Sequence, residues 1–167
     1  MSSILRISEA ANLGIHALVY LSLARPEAVQ AREARVDGVG GAGLGSSPPD
    51  CSPCSAGVIA RALDVSESHL AKVMQRLVAA NMVSSTRGAR GGFTITADPA
   101  HTSLLAVLEA IDGPVTSGGC MLGRSTCLVR ACWLSELENE AIQLVHKHLG
   151  SITLADVAAL PEDDNGL

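Results

Sequence analysis

The chain has 167 residues, 17.1 kDa and a formal net charge of −5, which suits one ordinary domain or a small domain with an appendage. Hydrophobic residues make up 47% and charged residues 17%, enough to bury a core and too apolar for global disorder. The only aromatics are Tyr20, Phe93 and Trp133, so the core must be aliphatic, and a stacking platform for single strands or RNA is excluded.

The first predicted helix runs from about Ser8 to Ala24, with Ala11, Leu13, Ala17, Leu18, Leu21 and Leu23 apolar and Pro26 shortly beyond its end. Its best apolar run, Leu13–Ala24, contains His16 and falls short of the roughly 18 residues a bilayer span needs, so no membrane partner is expected. The N-terminus lacks the pattern of a secretory signal, which points to the cytoplasm. Between Asp37 and Gly57, 13 of 21 residues are Gly, Pro or Ser, the composition of a flexible insertion. Inside it, Gly38-Val39-Gly40-Gly41-Ala42-Gly43 has the form of a dinucleotide fingerprint. No strand precedes it and Pro48-Pro49 follows, so it carries no cofactor.

Val58–Leu63 reads as a short helix and Asp64-Val65-Ser66 as a tight turn. Ser66 then caps a helix reaching about Ala80. Leu70, Val73, Met74, Leu77 and Val78 fall at helical spacing on one face, while Ser68, His69, Lys72, Gln75 and Arg76 form the other. Two helices joined this way make a helix-turn-helix, or, on pattern alone, a plain helical hairpin. The next segment favours the former. Met82–Thr86 and Phe93–Thr96 read as strands joined by Arg87-Gly88-Ala89-Arg90-Gly91-Gly92, a hairpin whose two arginines suit phosphate or a minor groove. A hairpin after a recognition helix is a wing. The charge distribution agrees: Ser55–Ile95 holds five basic against two acidic residues in an otherwise acidic chain.

Leu104–Asp112 is the next helix, closed by Gly113-Pro114. An irregular stretch from Val115 to Cys132 leads to a longer helix, Trp133–Leu149, with Leu134, Leu137, Ala141, Leu144 and Val145 on one side. Such a stripe outside a winged domain wants a partner, most simply a second copy of the chain. Thr153-Leu154-Ala155-Asp156 opens a last short helix as a capping box, and an acidic tail ends the chain. The expected fold is mainly α with a small β-hairpin wing: a winged helix-turn-helix plus a long dimerisation helix. Its expected parts are a DNA-binding domain over 1–100, a linker helix and cysteine loop over 101–132, dimerisation and C-terminal helices over 133–160 and a disordered tail over 161–167.

Five cysteines in a reducing cytosol point to metal or redox chemistry more than to a disulfide framework. Cys120, Cys127 and Cys132 sit near Gly118, Gly119 and Gly123, and a glycine-bearing loop can fold thiolates around one centre. An iron–sulfur cluster, zinc with an added histidine, or plain buried or reactive thiols all remain open on these residues. Cys51-Ser52-Pro53-Cys54 is a C-x-x-C lacking the strand and helix of a thioredoxin-like motif. It admits a metal, a disulfide or, preferred here, an incidental feature of a disordered loop; a small thiol oxidoreductase is the enzymatic alternative.

Val58–Ser66, the recognition stretch Ser68–Leu77, Val83–Gly88 with Gly91-Gly92-Phe93, Leu108–Pro114 and the three following cysteines together resemble the Rrf-type transcriptional regulators. That family includes the iron–sulfur-cluster biosynthesis regulator and the nitric-oxide-sensitive repressor of bacteria. The resemblance spans nearly the whole chain except the 37–57 insertion and the tail. It implies a non-enzymatic, homodimeric repressor or activator that binds a near-palindromic DNA operator. It also implies an iron–sulfur cluster, 2Fe–2S or 4Fe–4S, on Cys120, Cys127 and Cys132, with a further ligand from the partner protomer's first helix. The spacings of six and four residues depart from the family's usual five and five, and Ser135 stands where one branch has a histidine ligand. Asn12 occupies the place of another branch's carboxylate ligand, and His16 matches a histidine used in a third. His16 is therefore the first candidate for the fourth ligand and Asn12 the second, the alternative being a buried His16 with a backbone partner. Ser68, His69, Lys72, Gln75, Arg76, Arg87 and Arg90 are the expected DNA-binding residues, with Ser68, His69 and Lys72 reading bases and Arg87 and Arg90 meeting phosphate or the minor groove.

Overall fold

Serines open most of the helices, for a local reason. In the computed structural model, which describes residues 7–25, 52–88, 91–116 and 133–160, Ser8, Ser55, Ser66 and Ser103 are extended and accept a backbone N–H from three residues on. Each thereby satisfies one of the amides that a helix start leaves unpaired. Thr153 does the same in a capping box with Asp156. The helices are α1 (Glu9–Leu23), α2 (Ala56–Ala62), α3 (Glu67–Ala79), α4 (Leu104–Asp112), α5 (Trp133–Ser151) and α6 (Leu154–Ala158). Strands β1 (Val83–Thr86) and β2 (Gly92–Ile95) lie between α3 and α4. The mainly helical winged fold stands. The largest boundary shifts are of two residues: α2 starts before the expected Val58 because Ser55 is its cap, and α5 runs on to Ser151.

Helices α2 and α3 end by one device. After α2, Asp64 has a φ of 52°, and the Val65 N–H reaches the Ala60 carbonyl at 3.0 Å. After α3, Asn81 has a φ of 57°, and the Met82 N–H reaches the Leu77 carbonyl at 3.0 Å. Both are Schellman-type ends, with Asp or Asn in the left-handed position that glycine usually takes. The first delivers the chain to Ser66, the cap of α3, so Asp64-Val65-Ser66 encodes the turn of the helix-turn-helix. The second turns the chain directly into β1.

The core forms around α1, which touches α3, α4, α6 and β2 and buries Ala11, Leu13, Ala17, Leu18 and Leu21. At Gly14 a Cβ would overlap the Cδ1 of Ile111, so glycine lets α1 and α4 approach this closely with that side chain in place. Leu70, Val73, Met74 and Leu77 of α3 join Val107, Leu108 and Ile111 of α4 and Leu154 of α6 in the same aliphatic cluster. The core thus continues across residue 100, because α4 and α6 cover the same helices that carry the helix-turn-helix.

β1 and β2 pair antiparallel from Val83↔Ile95 to Thr86↔Gly92, and of their residues only Val83 and Ile95 are buried. Cys54 extends this ladder. Its N–H donates to the Phe93 carbonyl at 2.9 Å and its carbonyl accepts from the Phe93 N–H at 2.8 Å. A Cβ on Gly92 would overlap the Cys54 carbonyl, so the strand edge admits this neighbour only at a glycine. The expected 37–57 insertion is corrected accordingly: residues 52–57 belong to the winged domain, tied to β2 and capping α2. Residues 37–51, 117–132 and the tail 161–167 lie outside the described residues.

Candidate nucleic-acid interface

Helix α3 buries Leu70, Val73, Met74 and Leu77, which leaves Ser68, Lys72 and Gln75 exposed on the opposite side. Steps of four and three residues line these three up along one face. His69 and Arg76, seven apart, fall on a flank instead. The His69 Nδ1 lies 3.9 Å from a Glu9 carboxylate oxygen of α1. Arg76 donates from Nη1 to the Ile111 carbonyl of α4 at 3.2 Å, satisfying an orphan acceptor at that helix end. The structure thus brings Ser68, Lys72 and Gln75 together and turns His69 and Arg76 toward α1 and α4.

On the wing, Ser84, Ser85, Thr86 and Arg87 are exposed, and Gly88 turns the chain with a φ of 119°. Arg90 lies outside the described residues. Arg61 is one exposed cation that the sequence reading did not assign a contact. It sits in the last turn of α2, the helix that in this motif crosses the DNA backbone, and that placement is the signal that could have found it.

His16 and Asn12, one turn apart on α1, are both exposed. With Glu9, Leu13, Leu63 and Val65 they line an open groove of about 250 Å³ between α1 and the turn of the helix-turn-helix. The alternative of a buried His16 is corrected: its position on α1 lies opposite the face that packs into the core. Cys120, Cys127 and Cys132 lie outside the described residues, among which no three His, Cys, Asp or Glu are grouped to hold a metal. Cys54 is fully buried and disulfide-bonded, which corrects its reading as an incidental loop residue and agrees with the disulfide alternative for that motif. Cys51, its companion in the motif, lies outside the described residues.

Two acidic groups away from this face carry perturbed titrations. A hydrogen bond from the His101 ring, at 2.7 Å, holds Asp98 below the usual carboxylate range. The Thr153 backbone N–H does the same for Asp156, reinforced by the Thr153 hydroxyl.

An exposed polar line on a capped second helix, beside a two-stranded wing, has the form of a winged helix-turn-helix. The profile of the Rrf2 family, described as iron-dependent transcriptional regulators, matches residues 44–160. The chain belongs to the Rrf2 family. Among curated relatives, the helix-turn-helix-type transcriptional regulator BadM of Rhodopseudomonas palustris is 43% identical over 58 residues, 35% of this chain and 37% of BadM. YwgB of Bacillus subtilis is 31% identical over 108 residues, 56% of this chain and 69% of YwgB. The regulator NsrR of Geobacillus kaustophilus is 29% identical over 101 residues, 59% of this chain and 69% of NsrR. The match therefore spans little more than a third of BadM. Among solved structures, the global cysteine regulator CymR of B. subtilis superposes with a TM-score of 0.67 at 22% identity, covering 95% of this chain and 99% of CymR. The IscR of T. potens gives 0.64 at 19% identity, covering 98% and 93%. These likenesses establish the Rrf2 fold. No helix among the described residues is long and apolar enough to cross a membrane.

Proposed function

We propose that this Rrf2-family chain is a homodimeric, sequence-specific DNA-binding regulator gated by an iron–sulfur cluster. The observation that carries the DNA part is the line Ser68–Lys72–Gln75 on α3, exposed beside a wing that ends in Arg87. Ser68 and Lys72 stand near the N-terminal end of α3, the end that enters a major groove, and read bases there, with Gln75 one turn further on. Arg87 and Arg90 on the wing and Arg61 at the end of α2 meet phosphate. The second copy is supported by α5, whose Leu137 and Leu144 are 48% and 57% exposed. Two such heads want half-sites about one helical turn, ~34 Å, apart.

The cluster would be held by Cys120, Cys127 and Cys132, with His16 of the partner protomer completing the set and Asn12, an amide, the poorer donor there. When bound, the cluster supplies a centre that reacts with electrons, with oxidants or with nitric oxide. The described residues fit this at one point: the His16 imidazole stands exposed in a groove that an incoming segment can reach. The groove also borders Leu63 and Val65 of the helix-turn-helix turn, so a ligand arriving there lies against the reading head.

Anaerobic purification followed by iron and acid-labile sulfide analysis tests the cluster. A brown protein with matching iron and sulfide supports it; a colourless one with zinc or no metal refutes it. A second reading keeps the DNA-binding fold and replaces the cluster by zinc or by a reversible disulfide among the same Cys120, Cys127 and Cys132. A small thiol oxidoreductase is the weakest reading, since Cys54 has no exposure through which to reach a substrate disulfide.

A further inference from the structure

The polar side chains of α3 divide into those the fold employs and those it leaves free. His69 lies beside Glu9 of α1, and Arg76 donates to the Ile111 carbonyl of α4. Glu67 is the only acidic residue of α3. Both its carboxylate oxygens lie within 4.0 Å of the point a Cβ on Gly57 would occupy, so it is turned back toward the start of α2. Ser68, Lys72 and Gln75 are exposed, and their side chains make no hydrogen bond or ion pair among the described residues. The face offered to a groove therefore holds a hydroxyl, an ammonium and an amide, and no carboxylate.

These groups differ in what the edge of a base pair can answer. An ammonium only donates, and guanine presents two acceptors, O6 and N7, side by side. A primary amide both donates and accepts, and adenine presents the matching pair, the N7 acceptor and the N6 donor. A hydroxyl suits either and discriminates least. Cytosine is read by a carboxylate that accepts from its N4 amine, and this face has none. The three residues from Lys72 to Gln75 advance about 4.5 Å along the helix, against ~3.4 Å between base pairs, so their targets stand one or two base pairs apart.

Resting on the DNA-binding reading above, we propose that Lys72 and Gln75 are the specificity-determining residues of this chain. Lys72 selects a guanine, and Gln75 an adenine one or two base pairs away, in each half-site. The adenine carries a chemical consequence. Of the two N6 hydrogens of a paired adenine, one bonds thymine and the other faces the major groove, where the Gln75 carbonyl oxygen accepts it. N6-methylation replaces that groove hydrogen by a methyl group, so the same sequence in adenine-methylated DNA is rejected.

Selection from a random-sequence duplex library, with the anaerobically purified full-length chain, yields the operator, and substituted chains then assign its positions. Lys72→Ala should erase the preference at one G·C pair, and Gln75→Ala at one A·T pair, each about fivefold or more, with other positions unchanged. Both residues are exposed and alanine suits a helix, so the fold stays intact. Gln75→Glu should move the preference at its position from adenine to cytosine. An operator with N6-methyladenine at that position should bind the wild-type chain about fivefold or more weakly, and Gln75→Ala should not distinguish it from the unmethylated one. If Lys72→Ala weakens binding to every sequence alike and lowers the salt slope by about one, Lys72 is a phosphate contact and the assignment is overturned. Unchanged preferences in both alanine variants, or a methylated operator bound like the plain one, overturn it too. In each of these cases the wild-type chain still selects an operator and the DNA-binding reading stands. A wild-type chain that selects no sequence overturns that reading, and the proposal with it.

Discussion

Helices α3 and α5 carry similar three-and-four spacings of apolar residues and put them to opposite uses. In α3, Leu70, Met74 and Leu77 are wholly buried within the chain. In α5, Leu137 and Leu144 stand 48% and 57% exposed, seven residues apart. An apolar face covered by its own chain serves the fold; one left in water serves association. On the function proposed above, the difference separates the part that would meet DNA from the part that would meet a second copy of the chain.

The comparison can be broken at either helix. Leu77→Ala should lower the unfolding free energy by about 2–5 kcal/mol in denaturant titrations, and a cost below about 1 kcal/mol would deny α3 its place in the core. Leu137→Ala with Leu144→Ala should leave chain folding nearly unchanged and weaken self-association at least about tenfold, near 1.4 kcal/mol, by analytical ultracentrifugation. Unchanged association would mean that α5 is not the contact. On the DNA side, Arg87→Ala should reduce the salt slope by about one and lower affinity for operator and scrambled DNA alike. Ser66→Ala should cost about 1 kcal/mol through the lost cap of α3, read as a lower unfolding midpoint.

The smallest effect is acid sensitivity. Hydrogen bonds hold Asp98 and Asp156 below their unfolded values, so each stabilises the fold above the ordinary carboxylate range, about pH 4, and loses that contribution as pH falls through its lowered value. Amide exchange in α6 should therefore quicken in acid, and Asp156→Asn should remove part of that pH dependence.

What could be read from residues alone follows from how local each signal is. Ser66, the apolar spacing from Leu70 to Leu77 and the capping box at Thr153 act over three to eight residues, and the helices they mark are present. The glycine-rich wing and the exposed face of α3 were legible for the same reason. Periodicity fixes the angle at which Arg76 and His69 leave the helix, but not that Ile111 and Glu9 wait there, because those partners come from α4 and α1. Cys54 was misread because its Gly- and Pro-rich neighbours signal a loop, whereas its bonds are to Phe93, far along the chain. The bonds of Val115 to Glu109 and His146 join α4 to α5 and leave no trace in either helix's pattern.

The tie between Cys54 and β2 also bears on how this chain tolerates changes in length. Arg25, just past α1, and Ser52, just before Cys54, line the same small cleft with Phe93, Thr94 and Ile95. Arg25 and Ser52, the described residues on either side of residues 26–51, therefore lie close together. Closing a longer loop is cheap, about 0.6 kcal/mol for each doubling. Shortening, lengthening or replacing that stretch should therefore leave the reading head intact. A fluorescent domain could be spliced there, or new chain ends opened there by circular permutation, without touching a residue of the α3 face.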